Sequence, residues 1–228
     1  MTDVGGEHGI GQARPPSLAE LAYTEIEEMI VTRRLAPGAM ISENQLGEEL
    51  GMGRTPVREA LARLKLIGFV EVHPRRGVLV SGVDVIRHLE LLEVRRPLEE
   101  RIARSAAERG TPDDLATIAS LAAELAEAAV AADRVRYFRA KRLLHQTEVQ
   151  AAYNHVMTMT MQALHAQSRR FWYTYEPTGS FAEGARHHGE VADRLVARDG
   201  DGAVRAVGAL FAFLEGLTRA ALDRRPVS

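Results

Sequence analysis

The stretch "GMGRTPVREALARL" (Gly51–Leu64) sets Arg54, Thr55, Pro56 and Arg58 at the start of a helix. Cations at that end oppose the helix macrodipole. The arrangement therefore costs the isolated helix something and is either a solvated basic helix face or a face built for an anionic partner. Thr55 is expected to cap the helix, with Pro56 at the tolerated first position. The helix should run to about Ile67 and stop at Gly68. Just upstream, "SENQ" (Ser42–Gln45) has the form of a capping box, so a short helix starts there, runs through Leu46–Leu50 and ends at Gly51. Leu18 to Arg34 carries Leu18, Leu21, Ala22, Ile26, Met29 and Ile30 at helical spacing and is broken by Pro37-Gly38. Downstream, "FVEVHP" and "GVLVSG" read as a hairpin over 69–72 and 77–80, with Pro74, Arg75, Arg76 and Gly77 at its tip. Three helices and a hairpin, with a tight glycine turn between the second and third helices, make a winged helix-turn-helix.

The charge pattern agrees. Lys plus Arg is 29 and Asp plus Glu is 31, so the chain as a whole does not announce a nucleic-acid binder. Locally, Arg54, Arg58, Arg63, Lys65, Arg75 and Arg76 face only Glu59 and Glu71 between positions 54 and 76. The start of the second motif helix enters the major groove, where arginine pairs bidentately with guanine. Threonine and backbone N–H groups near that end can hold phosphate, and a basic wing tip can reach the backbone or the minor groove.

Past Gly82 the strand signals fade and Ala, Leu, Glu and Arg dominate. Helices are expected over 84–109, 111–132, 133–151, 154–175, 181–198 and 202–224, with a break at Glu176–Gly179. The domains expected are an arm over 1–16 without fixed structure, a winged helix-turn-helix over 17–81 and an all-helical ligand-binding and dimerisation domain over 84–228. The fold class is thus mostly α: a winged helix-turn-helix followed by an antiparallel helical bundle. No run approaches the ~20 apolar residues of a membrane span, and the first residues lack the basic start and apolar core of a secretory signal. The chain has no cysteine, in keeping with a reducing cytoplasm. It also lacks a nucleophile elbow, a phosphate loop, an HExxH pair and a dinucleotide fingerprint, so no enzyme is expected.

"ENQLGEELGMGRTPVREALARLKLIGFVEVHPRRGVLV", with its "RTPVREAL" core and P-x-R-G wing, resembles the DNA-binding domain of the GntR family of bacterial transcription regulators over residues 18–80. The resemblance implies a homodimer on an operator palindrome of double-stranded DNA. Arg54 and Arg58 would read bases, Ser42 and Thr55 would contact phosphate, and Arg75, Arg76 and Gly77 would form the wing contact. "LLEVRRPLEERIARSAAERG" looks like the opening helix of the FCD-type effector domain of the fatty-acid-regulator-like branch. There Arg95 matches an arginine that faces the ligand cavity, and Glu99 is structural.

Many FCD domains hold a divalent metal with an Asp and a His one turn apart and two later histidines. In this sequence His145 stands at the first histidine position, Asn154 is in a matching place and His188 is at the second, but Lys141 replaces the Asp and Leu210 the third histidine. An ammonium beside two imidazoles repels a cation. The expectation is therefore no cofactor, with Lys141 and Arg95 drawing in a small carboxylate effector. The alternative is a metal-dependent sensor using His145 and His188, recruiting His187, Glu148 or Glu190; an enzyme in the helical domain ranks below both. His155 and His165 read as core or surface histidines. "RRFWYTYE" (Arg169–Glu176) places Phe171 and Tyr175 on one helix face, as core or dimer contact or, with Tyr175 as a candidate, as lining of the effector cavity.

Overall fold

The computed structural model describes residues 15–73 and 76–223. The arm expected over 1–16 falls outside them up to residue 14, as do Pro74, Arg75 and Arg224, the expected end of the last helix. The head begins with α1 (Leu18–Val31), fixed at its start by a capping box between Ser17 and Glu20. Strand β1 (Met40–Ile41) follows, then α2 (Glu43–Leu50), whose box joins Ser42 and Gln45 and whose end is Gly51 in the left-handed conformation.

α3 (Arg54–Leu66) starts one residue earlier than expected. Its N-cap is Gly53, with no side-chain cap, so Thr55 lies inside the first turn and does not cap it. The hairpin is β2 (Val70–His73) against β3 (Gly77–Val80), with Val72 opposite Val78. β1 adds a third antiparallel strand on the other edge of β3, Met40 opposite Leu79. Two residues are too few for alternation to show in a sequence. The need for glycine at 77 is steric: its φ is +110° and a Cβ there would lie 2.7 Å from the Ile41 carbonyl oxygen of β1.

The remaining helices are α4 (Val85–Arg109), α5 (Pro112–Val130), α6 (Arg134–Ala151), α7 (His155–Tyr175), α8 (Phe181–Val196) and α9 (Gly200–Asp223). α4 packs along α9, and α5 lies between α6 and α8. The caps are local and legible: Asp84 opens α4, Thr111 and Asp114 box the start of α5, Asp133 opens α6 and Asn154 opens α7. The break expected after Tyr175 is a single 3-10 turn, Thr178–Ser180.

Two apolar cores result. One fills the bundle around Leu92, Leu144, Phe171, Phe181 and Phe211. The other fills the head around Ile26, Leu46, Leu61, Phe69 and Val80, and it also takes in Ala166 of α7. Helix α7 thus reaches into the head. Arg169 bridges Glu27 and Glu28 of α1, at 3.2 Å from the latter. Arg170 donates to the Ser81 carbonyl and stands 5.0 Å over the Phe69 ring.

The steric reading of position 77 has a direct consequence for stability. Gly77→Ala must strain a left-handed residue or push β1 away, and is expected to cost about 1–3 kcal/mol. Denaturant titration followed by circular dichroism checks this, and an unchanged midpoint would show that β1 moves aside freely.

Candidate nucleic-acid interface and buried effector core

The exposed face of the head is built around the start of α3. Because Gly53 brings no side-chain cap, the first N–H groups of α3 have no side-chain acceptor. Arg54, Thr55 and Arg58 are exposed around them. Arg58 is held by a residue the sequence reading passed over: its Nε and Nη2 donate to the Glu43 carboxylate at 3.2 and 3.0 Å. Glu43 is the first residue of α2, so the pair spans the helix-turn-helix. The Arg58 side chain remains 68% exposed, so the contact is a screened surface pair that an incoming phosphate or base can replace.

Ser42 already uses its oxygen to accept from the Gln45 N–H at 3.1 Å, leaving its O–H as the free donor. Arg76 is exposed at the wing beside Gly77, and Arg75 lies outside the described residues. Of the six local cations, Arg63 is exposed but lies back against α1, 4.2 Å over the Tyr23 ring. Arg54 and Arg58 at the start of α3 and Arg76 at the wing carry positive charge on the exposed surface, and Lys65 near the end of α3 is exposed as well.

In the bundle, Arg95, Lys141, His145 and His188 converge on one cavity of about 20 Å³, closed by Trp172 and by Leu210, which stands where the third histidine was sought. That is room for about one water. The cations in it are already paired. Arg95 donates to Glu99 and to Ser168 Oγ, each at 2.6 Å. Glu99 Oε1 also bonds His165 Nε2 at 2.7 Å. Burial would raise the Glu99 carboxyl, but His165 and Arg95 outweigh it and hold it down at about 2. Lys141 Nζ donates to Glu176 Oε2 at 3.0 Å, and the Glu176 side chain is fully buried. Tyr137 donates to the other oxygen of that carboxylate at 3.2 Å.

This corrects the expectation of Lys141 as an open positive charge. Two buried cations are matched by two buried carboxylates, as the cost of burying unpaired charge requires. Glu176 escaped the sequence reading because it stands 35 residues from Lys141, with no periodic relation, in a segment read as a loop break.

Burial disfavours charge on the other titratable groups around the cavity. Burial pushes His145 and His188 well below the usual histidine range, with the neighbouring imidazoles and Lys141 adding to it. Burial, with Glu99 nearby, pushes the Glu148 carboxyl well above the usual carboxylate range. The His145 ring centroid lies 5.0 Å from those of both His165 and His188. His188 Nε2, Glu148 Oε1 and Arg95 Nε are buried without a hydrogen-bond partner among the described residues.

A divalent ion does not suit this set. An ammonium and an isobutyl group occupy two of the four ligand positions, and among the described residues no three His, Asp or Glu side chains are placed to hold one. Of the substitutes considered, His187 faces Phe213 with its ring 5.0 Å away, and Glu190 pairs with Arg186. His155 is exposed at the start of α7. Tyr175 also departs from expectation: it packs on Phe171, its O–H donates to the Val83 carbonyl at 3.4 Å, and it does not line the cavity. Trp172 lines it instead.

The molecule is similar in fold to McbR/YncC of Escherichia coli, with a TM-score of 0.80 at 23% identity over 91% of this chain and 100% of that one. It is also similar to a GntR regulator from Rhodococcus sp. RHA1, with a TM-score of 0.73 at 20% identity over 90% and 99% of the two chains. In sequence it is 43% identical over 77 residues to an HTH-type transcriptional regulator of Streptomyces ambofaciens, covering 34% of this chain and 33% of that protein. It is 32% identical over 135 residues to the HTH-type transcriptional regulator McbR of E. coli K12, covering 59% and 61%. Each of these two alignments thus spans less than two thirds of the relative's length. A longer match, 26% over 189 residues, covers 81% of this chain and 82% of the E. coli K12 transcriptional repressor RspR. The head matches the bacterial regulatory proteins of the gntR family over residues 18–80 and the bundle matches the FCD domain over residues 90–213, and the chain belongs to the GntR family with an FCD-type second domain.

Proposed function

We propose that this protein is a sequence-specific DNA-binding transcription regulator, acting as a repressor, whose hold on operator DNA is set by a small organic anion. The observation that carries the reading is the start of α3: an uncapped helix end ringed by Arg54, Thr55 and Arg58, beside a wing bearing Arg76. That combination offers phosphate the backbone N–H groups and offers guanine the guanidinium forks. The sign of regulation is suggested by RspR, which is named a repressor. A palindromic operator would take two copies of the head, one per half-site, from a homodimer.

Polar groups buried in the bundle beyond what packing needs support the reading of effector control. A ligand changes DNA affinity only by favouring one placement of the heads over another. The Arg95 and Lys141 side chains suit a carboxylate. At a cavity of about 20 Å³ with both cations paired, such a carboxylate has to exchange with Glu99 or Glu176 and widen the space.

Two substitutions test the head. On a fragment selected from a random DNA pool, Arg58→Ala is expected to weaken specific binding roughly tenfold or more while random DNA is affected less. Equal losses on both in gel-shift titration would reduce Arg58 to a phosphate contact. Glu43→Gln removes the carboxylate that competes for Arg58 and is expected to tighten DNA binding by roughly a few-fold. Unaltered affinity would show that Arg58 keeps Glu43 as its partner on DNA.

A further inference from the structure

The buried cavity is not isolated. It shares Lys141, His145 and Trp172 with a smaller space of about 10 Å³. That space shares Arg142, His145, His165 and Arg169 with a crevice of about 370 Å³ between the head and the bundle. The three spaces form a row that runs from the domain junction to Arg95, and His145 walls all of them. Only the crevice has the volume of a metabolite site. A wider cleft of about 730 Å³ at the wing root shares no residue with the buried charged cluster.

The crevice has a distinct chemistry. Its head side is α1, through Tyr23, Thr24, Glu27 and Glu28. Its bundle side presents the amides of Gln146, Gln150 and Gln162. Arg169 in it is neutralised by Glu27 and Glu28. Arg142 is half-buried and forms no ion pair among the described residues. Arg142, one residue from Lys141, is thus the cation of the crevice that feels the Glu27 charge without forming an ion pair with it, in surroundings rich in amide donors and acceptors.

We propose that the crevice between α1, α6 and α7 is an effector-binding site for a small hydroxylated carboxylate. Its carboxylate lies on Arg142, and its hydroxyls bond the amides of Gln146, Gln150 and Gln162. His145 and His165 line both the crevice and the small space behind it and form the partition that separates this outer site from the inner cavity. Because one wall is α1, which packs directly on α3, a ligand in the crevice touches the element that holds the DNA-reading helix. A carboxylate there also competes with Glu27 and Glu28 for Arg169, the ion bridge that ties head to bundle. The site rests on the reading above that an organic anion controls DNA binding.

The test is thermal melting of the full chain with tartrate, citrate and glucarate as probes, paired with gel shift on the selected DNA fragment. A bound ligand raises the midpoint by mass action. At least one probe is expected to raise the wild-type midpoint. Arg142→Gln should weaken that probe by about tenfold or more, as loss of a charge-assisted contact does, and Arg142→Lys should restore part of it. Gln146→Ala, at an exposed residue, provides a second variant that leaves the core untouched. A shift that survives both Arg142→Gln and Gln146→Ala, or no shift with any probe, overturns the site. The outcomes also separate the site from the reading it rests on. A probe that releases wild-type and Arg142→Gln protein from DNA equally leaves effector control standing and removes the crevice. A probe bound through Arg142 that leaves DNA affinity unchanged keeps the crevice and removes its control of DNA.

Discussion

Helix α7 belongs to two hydrophobic cores at once, and most of the architecture that matters for function follows from that. Ala166 is buried with the head, while Phe171 and Trp172 are buried with the bundle. The adjacent Arg169 and Arg170 each reach back to the head, one to carboxylates on α1 and the other to the Ser81 carbonyl. Arg170 has little water around it, and burial lowers its guanidinium to about 10. Charge buried at a junction between domains makes the junction geometrically exacting, because a guanidinium moved away from its acceptors must find others or be rehydrated. The head is thus not a loosely tethered module. Its position depends on side chains of a helix that, within the same turn, also places Trp172 against the inner cavity.

The same electrostatic constraint shapes the bundle interior. Arg95 and Lys141 are nearly inaccessible, and each has a carboxylate at contact distance. In a protein interior such pairs add little net stability over apolar packing, but removing one member leaves an uncompensated charge. Lys141 and Glu176 join α6 to the end of α7, and Arg95 and Glu99 join α4 to His165 on α7. The position that a metal ligand would occupy is thereby taken up by a covalently fixed cation with its own counter-ion. Polar links of this kind favour one packing over alternatives, since half-satisfied networks are costly.

A regulator requires that binding at one place alter the relative stability of two arrangements elsewhere. In this molecule the bundle supplies polar groups with unmet hydrogen-bonding capacity, namely His188 Nε2, Glu148 Oε1 and Arg95 Nε, and the head supplies an uncapped helix end. Between them lie one shared helix and one ion bridge. The proposed effector crevice is linked to the DNA-facing helix by a short run of packed elements, α7 to α1 and α1 to α3.

Local chemistry was enough to locate the helix-turn-helix, because its signals lie within a few residues of one another. The Ser42–Gln45 box, the Gly51 turn and the arginines opening α3 are short-range and read directly from residue types, and the caps found at Asp84, Thr111, Asp133 and Asn154 stand where the expected helices begin. Two local readings shifted or fell short in the folded chain. Gly53 displaced Thr55 as the cap of α3, and β1 was too short to leave a pattern. What tertiary structure alone decided is which buried charges meet. Glu176 lies 35 residues from Lys141, His165 lies 66 from Glu99, and Arg169 lies 142 from Glu27. Spacing along the chain carries no trace of such pairs. They are selected because charges taken out of water must be matched by whatever opposite charge the packing of helices brings within reach.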